Sequence, residues 1–506
     1  MPLVRAGSPA IGAPTVTFVP TVPAWPLRTV ESSPSGRSLV DQRSFPRRLS
    51  ASDSLMWRID SDPVLRSPIL VVGLLDRSPT RDRMTATIER AGTFLPRLRQ
   101  RIEPPQLGLG RPRWREDDHP SLAHHLRRVQ APGADIDAVL AVAEPDAVAA
   151  FDPARPPWTL TVVDGLDGGR SAVVLRFHHA ITDGVGGVEI AELLFDRTRR
   201  PARSSHATAT VPGPSLPGGW LDPRRLPASG ADTARRALAA ATHPVPALTA
   251  AARLGRSAAR LLTPATDGGS PELAGRSLDR SLAVTERPLT ALQRAADVTG
   301  GTVNDVLLAA VAGALAAYHR AQGQAVQAVR ATMPISIRRP DDPMGGNRFV
   351  PARFTLPVDD PDPRARVKIA GAIVRAWRAE PALASTDVLA AGLNLLPRPV
   401  VTRLFAGMLR SIDVDVTDVP GLDHPAFLGG ARIERLWAFA PPTGAALSVT
   451  LLSHAGTCGI GLVCDRRAVA DPELLTTCLE AALAEVIALG RRPHAATGAV
   501  ATRRSA

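Results

Sequence analysis

Apolar residues recur along this chain with two different periods, and these periods predict a mixture of helices and strands. Short continuous apolar runs indicate buried strands, whereas spacings of three and four residues indicate amphipathic helices. In the first half the predicted strands are 69–75, 159–165 and 171–177, and the predicted helices are 81–95, 135–149 and 188–195.

The second half repeats this mixture without a detectable sequence repeat. Thr302 followed by Asp305 is close to a capping-box pattern and predicts a helix that continues to about Arg320. The further predicted elements are strands at 328–337, 349–356, 446–453 and 457–464, and helices at 363–378, 384–408 and 472–489. The fold class is therefore α/β or α+β, with two domains of similar size.

The strand predicted at 171–177 leads into two adjacent histidines. His178 and His179 are followed by Asp183 and Gly184. Because a strand sends successive side chains to opposite faces, only one of the two histidines can face a given cavity. Histidine beside a carboxylate indicates general acid or base chemistry, and Gly184 is expected to permit a tight turn. Metal ligands would have to share a face, so we expect no metal here. The alternative to a catalytic role is that these histidines are core residues whose hydrogen bonds are satisfied within the protein.

Charge and composition narrow the class of protein. The chain has 506 residues, 44% of them hydrophobic and 21% charged, which is typical of a globular protein. Its net charge is +12, yet Lys368 is the only lysine. The excess of positive charge is therefore explained by an arginine-rich composition and does not by itself indicate a function. No nucleic-acid motif occurs, and we expect no nucleic-acid partner. A basic surface would still favour anionic lipids or a phosphate-bearing substrate such as a CoA thioester.

Compartment and membrane signals are weak. The three cysteines, Cys458, Cys464 and Cys478, match no zinc spacing and favour a reducing, cytoplasmic setting. No uncharged apolar run of 18 residues occurs, so no bilayer-spanning segment is expected. His119, His124 and His125 lie among charged residues and are interpreted as a solvated surface cluster.

Composition also predicts the domain bounds. Residues 1–46 are rich in proline, serine and arginine and are expected to be a disordered extension. A proline-, glycine-, alanine- and arginine-rich linker, with candidate helices at 232–242 and 248–262, separates the halves. The predicted bounds are an N-terminal domain at 47–200, the linker at 201–279, a C-terminal domain at 280–490 and a disordered tail at 491–506.

Several stretches, taken in order, resemble the bacterial wax ester synthase/acyl-CoA:diacylglycerol acyltransferase family. His178 to Gly184 matches the HHxxxDG motif of CoA-dependent acyltransferases related to chloramphenicol acetyltransferase. The other matching stretches are Pro156-Pro157-Trp158, Thr302 to Val306, Leu49 to Trp57, Leu95 to Ile102 and Val419 to Gly421. The resemblance covers roughly residues 47–490. Two departures concern substrate preference: Pro157 stands where the family has leucine, and 417–422 differs from its usual Ser-Asn-Val-Pro-Gly-Pro.

The resemblance implies a fold, a reaction and roles for residues. The implied fold is two chloramphenicol-acetyltransferase-like domains flanking a central tunnel. The implied reaction transfers a fatty acyl group from acyl-CoA to diacylglycerol or a long-chain alcohol, without a cofactor. The implied roles are general base for His179, support for His178, a structural anchor with an arginine partner for Asp183, a backbone requirement for Gly184, an amide donor for Asn304, and the channel wall for Trp158 and Pro157.

Alternatives stay open at this point. A related enzyme could use a carrier-protein donor and a polyketide or peptide acceptor, and a lipid-binding relative could lack turnover. Asn304 could merely cap its helix, and Trp158 could simply pack in the core. Apolar products imply work at a lipid surface, so we expect a cytoplasmic protein that is peripheral on the inner face of the plasma membrane or on a lipid droplet.

Overall fold

The computed structural model describes residues 45–105, 110–200, 269–339, 342–380 and 386–491. The extension predicted at 1–46, the linker helices at 232–242 and 248–262, and the tail at 491–506 lie almost wholly outside these residues. The strands are β1 Pro68–Leu75, β2 Gln100–Glu103, β3 Arg113–Glu116, β4 Leu126–Gln130, β5 Trp158–Asp164, β6 Ser171–His178, β7 Arg280–Pro288, β8 Ala328–Ser336, β9 Phe349–Pro357, β10 Val414–Leu422, β11 Phe427–Leu428, β12 Ala431–Phe439, β13 Leu447–His454 and β14 Thr457–Asp465.

The helices flank these strands in both halves, as the two periods predict. They are α1 Ala51–Ile59, α2 Arg81–Phe94, α3 Leu122–His125, α4 Ile136–Ala143, α5 Gly184–Leu194, α6 Leu289–Thr299, α7 Val303–Ala321, α8 Pro363–Arg378, α9 Thr386–Leu393, α10 Arg398–Leu409 and α11 Pro472–Ala488. The single helix predicted at 384–408 is wrong. The structure has two helices instead: α9 ends at Leu393 and α10 begins at Arg398. Pro397 lies between them, where it cannot donate a helical hydrogen bond and disfavours helical geometry in the residue before it.

Two six-stranded sheets and one two-stranded ribbon organise the described residues. The first sheet has the order β11-β12-β1-β6-β5-β4, and the second has the order β7-β14-β13-β10-β8-β9. β6 lies between β1 and β5 and is antiparallel to both, which places the histidines at the end of a central strand. β10 is likewise central in its sheet and runs parallel to both β8 and β13.

The sheets do not divide the chain at the predicted linker. β12 pairs with β1 in antiparallel register, with Leu70 opposite Phe439, so a strand from the C-terminal half completes the N-terminal sheet. The sequence pattern had not predicted β12 at all. The predicted domain bounds therefore stay a prediction. In the structure, a strand of the second half belongs to the sheet of the first half.

A long helix forms the core of the second half. The capping box predicted from Thr302 and Asp305 is confirmed: the Thr302 hydroxyl accepts from the Asp305 amide, and the Asp305 carboxylate accepts from the Thr302 amide. α7 is alanine- and leucine-rich, and most of its residues are buried against the second sheet and α11. Over the described ranges no single helix is long and apolar enough to cross a membrane, and α6 with α7 would pass only as a pair bent by 93°.

Candidate active site

A cavity of about 400 Å³ lies between the two halves, and the histidine segment forms part of its lining. Its walls come from the first sheet, from helices α1, α5 and α10, and from the cavity-facing side of β8, β9 and β10. Most of the lining residues are apolar, among them Ile69, Val71, Leu175, Phe177, Phe349 and Met408. A largely apolar cavity with few polar groups is the usual form of a site for a small organic ligand.

The two histidines lie on opposite sides of the strand end, as alternation requires. His179 lines the cavity, whereas His178 is fully buried outside its lining. The His178 ring contacts Trp57 and Phe151 edge to face, and its Nδ1 accepts from the Ala180 amide. His178 therefore supports the turn, and only His179 can meet a ligand in the cavity.

Asn347 fixes the protonation of the His179 ring. Its side-chain nitrogen donates to Asp53 Oδ1 (2.7 Å) and to the backbone oxygen of His179 (2.9 Å), so both amide hydrogens face acceptors. The amide oxygen then lies 2.7 Å from His179 Nδ1 and must accept from it. Nδ1 therefore carries the proton in the neutral ring, which leaves Nε2 unprotonated as a base.

Burial and charge act on His179 in opposite directions. Burial lowers the pKa of His179 below its ordinary value, while Asp183 and the hydrogen bond to Asn347 oppose that shift. The net pKa is lowered, so the ring is neutral near pH 7. A neutral ring with a defined tautomer is the state that a general base requires.

Asp183 joins the histidine turn to the second half. It caps α5 by accepting from the Gly186 amide (2.7 Å), and its other oxygen accepts from the Arg338 guanidinium (3.0 Å) and the Arg348 amide (2.8 Å). The side chains of Asp183 and Arg338 are both buried. Asp183 thus lies where a structural anchor would lie. Arg338 occupies the position of the arginine partner that the family resemblance implies for it.

Gly184 is needed for space rather than for a special backbone angle. It is the first residue of α5, and the left-handed φ angles among the described glycines do not include it. A Cβ at this position would lie 2.6 Å from a methyl group of Val419 on β10. The prediction that Gly184 permits a tight turn is therefore replaced by close packing between the halves.

Trp158 forms part of the cavity wall and is held from behind. Its indole nitrogen donates to the Leu98 carbonyl (2.9 Å), and the His125 ring stacks on it with centroids 4.4 Å apart. His125 Nδ1 also lies 2.7 Å from the Trp158 carbonyl, and burial lowers the pKa of His125 to about 4. The interpretation of His125 as a surface residue is wrong, because the short helix α3 turns it inward.

Asn304 and Pro157 do not belong to the described cavity lining. Asn304 lies at the start of α7 with its side-chain nitrogen buried. Pro157 contributes through its backbone, since its carbonyl accepts from the His178 amide (2.9 Å). Asn304 is therefore not placed to act as an amide donor in this cavity. Pro157, predicted to form the channel wall, instead contacts the histidine segment through its carbonyl.

Sequence reasoning missed the residues that orient the His179 ring. Neither Asn347 nor Asp53 is among the candidate site residues that the sequence predicts. The carboxylate of Asp53 does cap α1 together with Ser50, but it also accepts from the Asn347 backbone amide (2.8 Å). The Gly345-Gly346-Asn347 sequence was the available signal, because both glycines adopt left-handed φ angles that hold the loop against Asp53 and the histidine turn.

Metal chemistry has no visible ligand set in this region. Among the residues that the structure describes, no group of three His, Cys, Asp or Glu side chains is arranged to hold an ion. The expectation that the protein uses no cofactor stays a prediction.

Family models match both halves of the chain. The wax ester synthase/diacylglycerol acyltransferase catalytic domain matches residues 49–307, and the C-terminal domain of the same family matches residues 345–486. A protein of Mycobacterium tuberculosis H37Rv that carries the name diacylglycerol O-acyltransferase is 34% identical over 458 residues, which is 88% of this chain and 92% of that protein.

Solved structures show the same fold. A wax ester synthase/diacylglycerol acyltransferase from Marinobacter aquaeolei VT8 aligns with a TM-score of 0.56 and 20% identity, covering 88% of this chain and 99% of that one. The first condensation domain of the calcium-dependent antibiotic synthetase aligns with a TM-score of 0.57 and 17% identity, covering 89% and 98%. At these identities the likeness concerns the fold alone, and it is the two-domain fold that the sequence predicts.

Proposed function

The chain belongs to the wax ester synthase/diacylglycerol acyltransferase family, and we propose that it transfers a fatty acyl group from acyl-CoA to the hydroxyl of diacylglycerol or of a long-chain alcohol. The observation that carries this proposal is the position of His179: an oriented neutral imidazole lines a largely apolar cavity between the halves. A base, an apolar cavity and little access for water are what ester formation from a thioester requires.

The geometry supports the following reaction. His179 Nε2 accepts the proton of the acceptor hydroxyl while its oxygen attacks the thioester carbonyl. The new carbon–oxygen bond forms, the carbon–sulfur bond breaks, and the imidazolium returns its proton to the CoA thiolate. A positioned base of this kind contributes about 10²–10⁴-fold to the rate. Holding donor and acceptor together in the cavity contributes more, roughly 7–11 kcal/mol.

The test uses purified protein with labelled palmitoyl-CoA and, in separate reactions, diolein, hexadecanol or no acceptor. His179→Ala should lose at least about 100-fold in ester formation. His125→Ala is the matched control, because it removes a buried histidine that packs behind the cavity wall without lining the cavity. Equal rates for His179→Ala and the wild type would exclude His179 as the base, and no ester with either acceptor would refute the proposed reaction.

Helix α10 supports the further proposal that the protein works at a lipid surface. On one side of this helix Phe405, Met408 and Leu409 line the cavity. Beside them on the helix and in the preceding turn, apolar side chains are exposed to solvent: Leu395, Leu396, Val400 and Leu404, with Leu395 86% exposed. Exposed arginines at 398 and 403 lie among them. An apolar face with basic residues favours docking on anionic lipid, next to a cavity for apolar substrates.

Flotation with vesicles of phosphatidylcholine and phosphatidylglycerol tests this docking. The wild type should float with the vesicles at low salt. The double variant Leu395→Glu/Val400→Glu should not float, because two carboxylates on this face oppose its insertion into the lipid. Leu278→Glu is the control, since Leu278 is an exposed leucine elsewhere on the surface. If Leu395→Glu/Val400→Glu floats as well as Leu278→Glu, docking through α10 is refuted.

A further inference from the structure

An unpaired arginine lies in the cavity, at a distance from the base. The side chain of Arg353, on β9, lines the cavity with only 6% of its surface exposed. None of its three guanidinium nitrogens hydrogen-bonds to a protein group in the described part of the chain. Burial lowers the pKa of Arg353 to about 10, and no acidic side chain among the described residues opposes that shift, so the group remains charged at neutral pH.

The polar residues near Arg353 do not satisfy it. Across the sheet, Arg353 pairs with Thr332 on β8, and Thr332 pairs with Asp415 on β10, so the three form one row facing the cavity. The Thr332 hydroxyl donates to the Ala352 carbonyl (3.0 Å). Asp415 lies two strands away, roughly 10 Å, and accepts instead from the hydroxyls of Thr417 and Ser448.

A buried unpaired cation is costly, because a charge removed from water without a partner loses several kcal/mol of solvation. An apolar residue would fill this position on β9 without that cost. The guanidinium is therefore expected to meet a partner that enters the cavity. Arg353 is the sole arginine or lysine among the described lining residues, so an anion that enters the cavity meets one fixed positive charge.

The shape of the cavity identifies the kind of anion. A guanidinium binds a carboxylate through two parallel hydrogen bonds, and a monocarboxylate matches its single charge. A phosphate monoester would bring a second negative charge toward Asp415 and Asp418, which also line the cavity. The remaining wall is apolar and suits a hydrocarbon chain.

The spacing along β9 relates this site to the base. Phe349 begins β9 and contacts the His179 ring, with centroids 5.4 Å apart. Arg353 lies four residues further along the strand, roughly 13 Å away. A chain of that length with a carboxylate at Arg353 places its other end at His179.

We propose that Arg353 binds the carboxylate of an aliphatic monoacid inside the cavity, and that a long-chain ω-hydroxy acid bound in this way is an acyl acceptor with its hydroxyl at His179. The second part rests on the proposed acyl transfer, whereas the carboxylate site does not. Esterification then proceeds as for an alcohol: the hydroxyl oxygen bonds to the acyl carbon, the carbon–sulfur bond breaks, and the proton passes through His179 to the CoA thiolate.

Binding is measured first, by calorimetry with dodecanoate, 1-dodecanol and dodecyl phosphate. Arg353→Met should weaken dodecanoate binding roughly 10- to 100-fold, as expected for hydrogen bonds between charged groups. The dodecanoate affinity of Arg353→Lys should lie between those of the wild type and Arg353→Met, because lysine keeps the charge but cannot form the two parallel hydrogen bonds of a guanidinium. Arg366→Met is the matched control: Arg366 is equally buried but is paired with Glu485 outside the cavity lining, and its loss should leave dodecanoate affinity unchanged.

Turnover is measured second, with palmitoyl-CoA and either 12-hydroxydodecanoate or its methyl ester. The ratio of kcat/KM for acid over ester should fall roughly tenfold or more in Arg353→Met. Unchanged dodecanoate affinity in that variant, or tighter binding of dodecyl phosphate than of dodecanoate, would overturn the carboxylate site. If dodecanoate binds but 12-hydroxydodecanoate is not esterified while hexadecanol is, the bound acid is a fatty acid and the acceptor assignment fails. If no acceptor is esterified but binding still depends on Arg353, acyl transfer fails and the site stands.

Discussion

Replacing Asn347 by leucine removes the side chain that fixes which ring nitrogen of His179 carries the proton. Leucine keeps much of the buried volume, but it can neither accept from Nδ1 nor donate to Asp53. The backbone amide of residue 347 still donates to Asp53, so the loop keeps one of its contacts with α1. The change therefore acts mainly on the orientation and tautomer of the base.

The expected size follows from the bonds that are lost. A net hydrogen-bond contribution of about 0.5–1.5 kcal/mol corresponds to a roughly 2- to 13-fold change in the tautomer ratio. Freedom of the ring to rotate adds to this, and the whole contribution of a general base, about 10²–10⁴-fold, sets the upper bound. We expect kcat/KM to fall roughly 10- to 100-fold, which is less than for His179→Ala. Loss of the donor to the buried Asp53 should also lower the free energy of unfolding by about 1.5–3 kcal/mol.

The pH profile separates a positioning role from a merely structural one. The hydrogen bond to Asn347 raises the pKa of His179, so its removal lowers that pKa further. Because the base must be neutral to act, the acidic limb of kcat/KM should move to lower pH in Asn347→Leu. The assay is ester formation from palmitoyl-CoA and hexadecanol as a function of pH, with unfolding by urea measured in parallel.

Asn394→Leu is the matched control. Asn394 also binds α1 through its amide, which donates to the Ala51 carbonyl (2.8 Å) and accepts from the Ser54 hydroxyl (3.0 Å), but it does not contact a histidine. It should lower stability without moving the acidic limb. An Asn347→Leu variant whose kcat/KM stays within twofold of the wild type, with an unmoved acidic limb, would refute the positioning argument.

Three further predictions concern the surrounding contacts. Asp183→Leu should lower the free energy of unfolding by about 3–5 kcal/mol by leaving Arg338 buried and unpaired, and the double variant Asp183→Leu/Arg338→Met should recover part of that loss in urea unfolding. Gly184→Ala should cost about 1–3 kcal/mol in the same measurement, because its methyl group meets Val419, and Val419→Ala should relieve it. Trp158→Phe should lower stability by about 0.5–1.5 kcal/mol by removing the indole hydrogen bond, and calorimetry should show the loss.

Local elements of the fold could be predicted because their signals are local. β6 is an apolar run with a turn on each side, and the capping box of α7 lies within four residues. β12 could not be predicted in its place, because its partner β1 lies more than three hundred residues earlier in the chain. No period in the sequence indicates that a strand of the second half completes the first sheet.

The candidate site divides in the same way. His178, His179 and Asp183 lie in one short segment, so alternation along a strand separated the histidine that faces the cavity from the one that packs. Asn347 and Asp53 are 294 residues apart, and only the fold brings them together. Each also had a sufficient local explanation, as a loop residue or as a helix cap, and such an explanation hides a second contact.

The chemistry of His179 therefore depends on both halves of the chain. The histidine comes from the first sheet, but its proton is fixed by Asn347, and the turn that carries it is anchored through Arg338, both on the loop segment between β8 and β9. The same connection leads directly into β9, where Arg353 lines the cavity. A change in the packing of that segment should thus alter the orientation of His179 and the binding of a carboxylate at Arg353 together.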